Sequence, residues 1–471
     1  MTASVVLRRV SVGLCIVFAI VACQIRTERE PSAVGPDPAP APVAVVPPRA
    51  TVPPRATVPP ATMPVALPSR TLPALDHEPE IGVLLFSAPQ VSVTLLAPGR
   101  LLAGGQALDL AAGKITVMAS AGGWRLAGSG AVVAGEGVIT VRVAAGQPTF
   151  SATLAPPFGK PPTLKFSGQL VLRGTGSRVE LIERLPLERY LAGVLPVEMN
   201  PSWPTGALAA QAIAARSYAC TRWLERFDQP WQLHWHYTVD MAYGGWRAAT
   251  PNVAAALSAT RGRVLITRGM PVLAFFHASS GGTTEAAGNL WPELRGADGR
   301  TAITPVMGVA DDPAAGPGAM GLGLTATHQR WKADVPLADI TAGLQAWAAE
   351  KPGQRPTFGT VTGVKPGRRF ADSKRVATVI ISHSRGKKTV ETAISGNEFR
   401  LAVGPVVVRS TAWDRCVVAA KNGGILVLEG HGFGHGVGLS QVSAWWLAQQ
   451  GVPADQIVTR FYPGAELRAL W

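Results

Sequence analysis

Within the stretch from Leu185 to Phe227, LPLERYLAGVLPVEMNPSWPTGALAAQAIAARSYACTRWLERF, the Glu198 carboxylate and the Arg216 guanidinium are the groups whose setting could do chemistry. Around Leu208, Ala212, Ala215 and Ala219 the apolar residues recur at three and four positions, and Pro204 or Thr205 stands where a helix can open. The opposite stripe, Ala209, Ile213, Cys220 and Leu224, is apolar too, so the spacing predicts a buried helix with Arg216 committed to its interior. A buried cation needs a partner. The nearest upstream carboxylate outside an obviously solvated turn is Glu198, flanked by Pro196, Val197 and Met199. The two read either as a structural pair or as a site in which the Glu moves protons. Apolar neighbours such as Met199 and Trp203 would raise the acid's pKa, whereas a close Arg216 would lower it. Arg216 is therefore expected to position substrate or a structural partner without pairing tightly with the free acid.

Three further segments carry polar residues at informative spacings. Leu233 to Trp246, LHWHYTVDMAYGGW, is rich in aromatics; Tyr243 and Trp246 read as sugar-stacking platforms or as core, and Asp240 as a possible second carboxylate facing Glu198. His234 and His236 are two apart, but nothing near them completes a tetrahedral metal shell. His277 to Glu285, HASSGGTTE, follows a hairpin signal at Arg268-Gly269 and could present N–H and hydroxyl donors, or simply turn the chain. It is not a serine-hydrolase elbow, since no G-x-S-x-G is present. Gly430 to Gln441, GHGFGHGVGLSQ, sets His431 and His435 four apart, yet its alternating glycines disfavour a helix and suit close approach of backbone to a ligand. No metal or other cofactor is expected.

Taken in order, these motifs resemble the SpoIID/LytB (stage II sporulation protein D) family. The family's E-M-P-S-S-[FW]-P element is matched by Glu198, Met199, Asn200, Pro201, Ser202, Trp203 and Pro204. Its E-A-L-K-A-Q-A-[VI]-A-A-R-[TS]-Y is matched by Ala207, Leu208 and Ala210 through Tyr218, with the usual Glu not kept. H-[AS]-[ST]-S-G-G-x-T-E is matched from His277, and Leu294-Arg295-Gly296 with Val309 to Pro313 stands for P-Y-L-R-G-V-x-D-P. Ser395 to Arg400 also resembles the family's core sequence. The glycine-rich motif is matched at His435, Gly436, Gly438, Ser440 and Gln441, with Ser443 replacing Gly, and Phe461 to Gly464 matches Y-Y-P-G. The cysteines that bind zinc in many members are missing between Leu233 and Trp246. The resemblance implies peptidoglycan glycan strands as substrate, Glu198 as catalytic acid, and substrate contacts among Arg216, Gln211, Tyr243, His277, Ser279, Ser280, His435, Ser440 and Gln441.

The rest of the 471-residue chain must deliver and position these groups. Arg8 and Arg9 precede an apolar run from Val10 to Ala22 that is short for a membrane span, which reads as a secretory signal over residues 1–22. Ile20-Val21-Ala22-Cys23 resembles a lipobox, making Cys23 a lipidation site and a bacterial membrane a partner, with the folded part outside the cytoplasm. Residues 23–79 form a Pro-rich disordered linker that repeats VPPRAT; at about 3.1 Å per residue its Pro-rich part reaches on the order of 150 Å. Residues 80–184 show period-two runs broken by glycine, a β-rich region that is either a small domain or the first sheet of the catalytic one. Residues 185–471 form the SpoIID-like part, with a short helix from Pro186 broken near Pro196 and an inserted β-rich segment around 325–415. A helical piece there is expected to carry Trp331 and Trp347. The fold class expected is α+β: β-rich domains around a central buried helix carrying the catalytic motif, preceded by the linker. Cys220 and Cys416, the cysteines left to the folded part, could pair in an oxidising compartment but are expected as buried thiols, since Cys220 lies on an apolar helix.

A formal charge of +14 and pI near 10.2 point to an anionic partner. Without zinc-finger, RNP-like or helix-turn-helix signals, a wall polymer fits better than nucleic acid. The cluster Arg368, Arg369, Lys374, Arg375, Arg385, Lys387 and Lys388 reads as solvated strand ends or a face toward that polymer. Ordinary glycosidases use two carboxylates; the motifs offer one. This suits a membrane-anchored lytic transglycosylase that cleaves between N-acetylmuramic acid and N-acetylglucosamine and leaves a 1,6-anhydro end. The competing expectation is a non-catalytic wall-binding modifier of an amidase, as in the LytB branch, which would make a wall amidase the partner.

Overall fold

The computed structural model describes residues 75–120, 123–143, 148–156, 160–294, 330–420 and 423–471. The signal, Cys23, most of the Pro-rich linker, and the motif counterparts Arg295-Gly296 and Val309 to Pro313 lie outside the described residues. Among the described residues no helix is long and apolar enough to cross a membrane. The fold is α+β and rich in strands.

The chain first lays down strands β1 (Glu80–Ala88), β2 (Gln90–Leu95), β3 (Gly99–Ala103), β4 (Gln106–Leu110), β5 (Gly113–Ser120), β6 (Gly123–Gly128), β7 (Ala131–Gly135), β8 (Val138–Val143), β9 (Phe150–Thr153), β10 (Thr163–Phe166), β11 (Gln169–Gly174) and β12 (Val179–Pro186). Alternation in runs such as QVSVTL buries one face and leaves the other wetter. One sheet has the order β10-β9-β2-β5-β6-β7. The other runs β1-β12-β11-β8-β3-β4, and its β1 edge is extended by β13 (Leu233–His234), which pairs in parallel with β1.

That edge joins the early sheet to the motif-bearing part. One apolar cluster runs from Ile81 and Val83 through Leu185 and Tyr190 to Tyr218, Tyr243 and Val437, so the early strands share a core with the motif-bearing part. Helix α1 (Leu187–Glu198) follows β12 directly, and α2 (Thr205–Glu225) follows α1. The expected break at Pro196 is not found: the helix runs through it and ends at Glu198, where the Met199 N–H bonds the Leu195 carbonyl. Proline near a helix end removes one bond without stopping the turn. Helix α2 is buried over nearly all of its length, and its alanines let α1, α3 (Pro251–Ala259) and later helices approach closely. Arg268 and Gly269, both at positive φ (+49° and +79°), turn β14 (Arg263–Thr267) into β15 (Met270–Pro271), the hairpin expected there.

The segments HASSGG and GHGFGHGVGLSQ come together through β16 (Phe276–His277), whose parallel partner is Leu439–Ser440. After α4 (Ala287–Leu290), residues 330–431 build their own apolar core. They form β17 (Arg330–Pro336), α5 (Leu337–Ala349), β18 (Val361–Pro366), β19 (Thr378–Arg385), β20 (Lys388–Ser395), α6 (Gly396–Val403), β21 (Trp413–Ala419) and β22 (Ile425–His431). Trp347 is helical as expected, but Trp331 lies on β17 and enters the same core from a strand. Ser395 caps α6 in a capping box with Glu398. Strand β23 (Leu439–Ser440), helices α7 (Gln441–Gln449) and α8 (Ala454–Phe461), and β24 (Glu466–Ala469) complete the chain, with α7 and α8 packed on α2. Cys220 is buried and Cys416 only partly so; both are free thiols.

Candidate active site around Glu198

Glu198 is the last residue of α1, so its side chain leaves the helix where the backbone turns toward the buried Trp203. The backbone N–H of Ala242 donates to its Oε1 at 2.6 Å, and the Gln441 side chain bonds it as well. Burial pushes the carboxyl up to about 7, while those two donors pull the other way. The group therefore sits near the midpoint of its titration at neutral pH while remaining partly exposed. No other carboxyl or cation among the described residues contributes to that shift.

The loop that supplies Ala242 is fastened on both sides. The Tyr243 N–H donates to the Trp235 carbonyl and the Tyr243 hydroxyl to Glu183 at 2.8 Å. Glu183, on β12, also accepts from the Ser167 and Gly168 N–H groups at 3.0 and 2.7 Å, and burial raises it to about 7 despite these bonds. The Tyr243 ring lies against Gly193, where a Cβ would sit 2.4 Å from its edge. Tyr243 is thus core: at 3% exposure it seats the loop and offers no face for a sugar.

Of the two roles open to Arg216, the structural one holds and the substrate contact is corrected. Its side chain is fully buried and meets Glu188, with Nε and Nη2 at 2.9 and 2.7 Å from the two oxygens and Nη1 at 3.1 Å from the Arg263 carbonyl. It reaches neither Glu198 nor an opening, because Glu188, farther off in sequence but on the same helix as Glu198, takes both sides of its fork. Asp240 is no second carboxylate for Glu198. Tyr218, Arg222, Arg226 and the His234 N–H hold its oxygens at 3.0, 3.3, 3.2 and 2.8 Å. Burial alone would raise Asp240, but the two arginines hold it below its ordinary range. Gln211, expected to touch substrate, is enclosed as well, and both its amide atoms lack a hydrogen-bond partner among the described residues.

The remaining candidates gather around the glycine-rich loop. Backbone bonds between Ser279 and Phe433, and from the Glu285 N–H to Gly436, zip the HASSGG turn to it. The Ser280 N–H reaches the Ser440 hydroxyl at 3.4 Å, and Ser440 adjoins Gln441. His277 and His435 have ring centroids 5.6 Å apart, with Phe275 and Trp291 packed on His435. Burial keeps both neutral, His435 down at about 3, so neither is a proton carrier near neutrality. The glycines of this loop serve packing. At Gly436 (φ +85°) a Cβ would stand 2.5 Å from Arg375 Cζ, and at Gly438 (φ +72°) 1.9 Å from the Phe275 carbonyl. Arg375 itself, expected among solvated basic residues, is buried at 1% exposure.

Sequence reasoning does not find Ala242 or Glu183. A backbone N–H has no residue-type signature; the Y-G-G run, whose glycines leave room for Val197 and the Lys165 carbonyl, is the available signal.

Residues 175–266 match the family model described as stage II sporulation protein (SpoIID), and residues 323–438 match a domain of unknown function (DUF8618). The chain is similar to the stage II sporulation protein D of Bacillus amyloliquefaciens, 28% identical over 61% of this chain and 75% of that protein. It is similar to the amidase enhancer of Bacillus subtilis, 26% identical over 59% of this chain and 40% of that protein. An uncharacterized protein of Brachyspira hyodysenteriae is 25% identical over 64% of this chain and 72% of its own length.

Proposed function

For a chain that belongs to the SpoIID/LytB family, we propose the activity of a peptidoglycan lytic transglycosylase with Glu198 as its single acid and base. The observation that carries this reading is a carboxyl raised to about 7 with only neutral donors on it. Such a group is protonated often enough to act as acid and, once ionised, is basic enough to take a proton back.

The protonated Glu198 gives its proton to the oxygen linking muramyl C1 to the next N-acetylglucosamine, and the C1–O bond breaks. The muramyl 6-hydroxyl then attacks C1, and the Glu198 carboxylate takes its proton. A 1,6-anhydro end results, no water is consumed, and Glu198 returns to its starting form. The Ala242 N–H and Gln441 steady the carboxylate between the two transfers. His277, Ser279, Ser280, His435 and Ser440 shape the neighbouring side, joined to Glu198 through Gln441. The lipobox-like end at Cys23 and the Pro-rich spacer support a working place in the cell envelope, on the outer side of a bacterial membrane.

Glycan strands incubated with the protein and analysed by mass test this directly. Anhydro-muramyl ends that vanish in Glu198→Gln support it. The similarity to an amidase enhancer supports a second reading, a wall-bound modifier of an amidase. Binding to strands without cleavage by the wild type, together with a raised rate of an added wall amidase, would select that reading.

A further inference from the structure

The sheet β10-β9-β2-β5-β6-β7 buries Val91, Val93, Ile115, Val117, Phe150 and Phe166 in the shared core and turns its other face to solvent. Its register sets out that outer face row by row. Lys114 on β5 stands opposite Thr94 on β2, Thr94 opposite Ser151 on β9, and Ser151 opposite Lys165 on β10. Residues directly opposite share a face of a sheet, so these four form one row across four strands, about 14 Å long at about 4.8 Å per step. Both lysines and Thr94 are exposed, and Ser151 is half-buried. In the next row the hydroxyls of Ser92 and Thr116 bond each other at 2.9 Å, and those of Thr153 and Thr163 at 2.8 Å. The two pairs stand apart because the ladder between β2 and β9 covers Thr94 and Leu95 and stops before Val93. Where the strands part lies a cleft of about 420 Å³, lined among others by Gln90, Ser92, Lys114, Thr153, Thr163 and the half-buried Phe86 of β1.

The charge of this face has one sign. None of its six strands holds an Asp or Glu, while Lys114, Lys165 and Arg125, the last in a row with Met118 and Gln90, are exposed on it. Such a surface favours a ligand that carries negative charge. Each hydroxyl pair spends one donor internally and keeps a second O–H and free lone pairs for a guest. Phe86 offers an apolar ring. The hydroxyls and acetamido group of an amino sugar, the apolar face of its ring and a pendant carboxylate match these features in turn. The volume falls within the roughly 300–1,000 Å³ of small-ligand clefts. The strip also continues beyond β10. The Trp246 N–H donates to the Lys165 carbonyl at 2.6 Å, which lays the Ala242 loop alongside that strand. Arg247 follows, exposed, and its guanidinium lies over Gly244 together with Val197: a Cβ on Gly244 would stand 2.8 Å from Arg247 Nε and 2.5 Å from Val197 Cγ2. Val197 and Glu198 adjoin on the last turn of α1, and both are open to solvent in part. Cations thus lead from Lys114 through Lys165 to Arg247, which packs on the neighbour of Glu198.

We propose that the outer face of β10-β9-β2-β5 is a second binding site for the glycan strand of peptidoglycan, with a sugar in the cleft between β2 and β9 and with Lys114 and Lys165 on the strand's carboxylates. From there the strand passes Arg247 to Glu198, so the sheet holds the polymer while the acid works on it. This deepens the peptidoglycan reading above and rests on it.

The test measures binding of the full chain, carrying Glu198→Gln so that strands are not shortened, to fluorescently labelled glycan strands by anisotropy. Adding K114E/K165E is expected to weaken binding about tenfold. Thr153→Trp, which fills the cleft from an exposed position and changes no charge, is expected to weaken it about fivefold. Both variants should melt at the temperature of their parent, since the three positions are exposed. Strands whose carboxyls are converted to methyl esters should bind the parent about as weakly as native strands bind K114E/K165E. Unchanged binding by either folded variant overturns the proposal, as does equal binding of native and esterified strands. Single-stranded DNA held more tightly than glycan, and released by K114E/K165E, overturns it in favour of nucleic acid. Should K114E/K165E fail to fold, Thr153→Trp and the ester comparison decide. Cleavage is not read here: if these variants lose strands that the wild type never converts to anhydro ends, the surface stands and the lyase falls. If the wild type cleaves and the variants bind as their parent does, the lyase stands and the surface falls.

Discussion

Glu198 and Asp240 border the same loop and are both carboxyls drawn into protein, yet their surroundings set them to opposite tasks. Glu198 meets an N–H and a side-chain amide, groups that support a negative charge weakly, and desolvation wins; it rises to about 7. Asp240 meets two guanidinium groups and a phenol, and their field outweighs the same desolvation. What decides proton chemistry here is the charge of the donors, more than the depth of burial. Glu183 sharpens the point. Its direct donors are neutral and it too rises to about 7, but it is sealed, so its proton serves the fold and never reaches a ligand.

The largest expected effect tests the first half of that contrast. Glu198→Gln should lower strand cleavage by roughly 10²- to 10⁴-fold with little change in thermal stability, measured by mass analysis of products. In the wild type, activity should fall as pH rises through about 7, since the reacting form is the protonated one.

Asp240→Asn tests the other half. Leaving Arg222 and Arg226 against a neutral amide should cost about 3–5 kcal/mol in urea unfolding. Any folded fraction should still make the same product. A D240N protein of full stability that makes no anhydro ends would reverse the roles of the two acids.

Glu183→Gln comes next. A carboxyl raised from 4.5 to about 7 stabilises the fold fully below its unfolded pKa and loses that contribution as pH climbs through this window. The loss is about 3 kcal/mol once both states are ionised. Relative to wild type, E183Q should therefore gain stability steadily between those pH values, read as melting temperature against pH. The smallest effect is expected of Gln441→Leu. Losing one neutral donor to the carboxylate should move the alkaline limb of the rate profile upward and lower the rate by about tenfold or less.

The buried helix and the carboxyl before it are legible because spacing and apolar context are local properties: the recurrence at Leu208, Ala212, Ala215 and Ala219 suffices for α2. The glycine-containing segments are recognisable by their order, whereas their register comes from the Phe276 to Leu439 bridge. What stays hidden is every partner chosen in space. Glu198 is the carboxylate that sequence offers Arg216, whereas Glu188 takes it; Asp240 looks free beside Met241 and is clamped by residues of α2 and its end. Arg375 looks like its solvated neighbours because nothing local announces that a glycine-rich loop will close over it.

The parallel pairing of β13 with β1 has a practical consequence. The early strands act as the floor on which the Ala242 loop rests, through bonds from Gln232 to Gly82, Trp235 to Leu84 and Trp246 to Lys165. A recombinant fragment starting at Leu185 would inherit the motifs that carry the family resemblance and still lack that floor. Anyone grafting the motif-bearing part onto another carrier must therefore bring residues 75–184 along as its foundation.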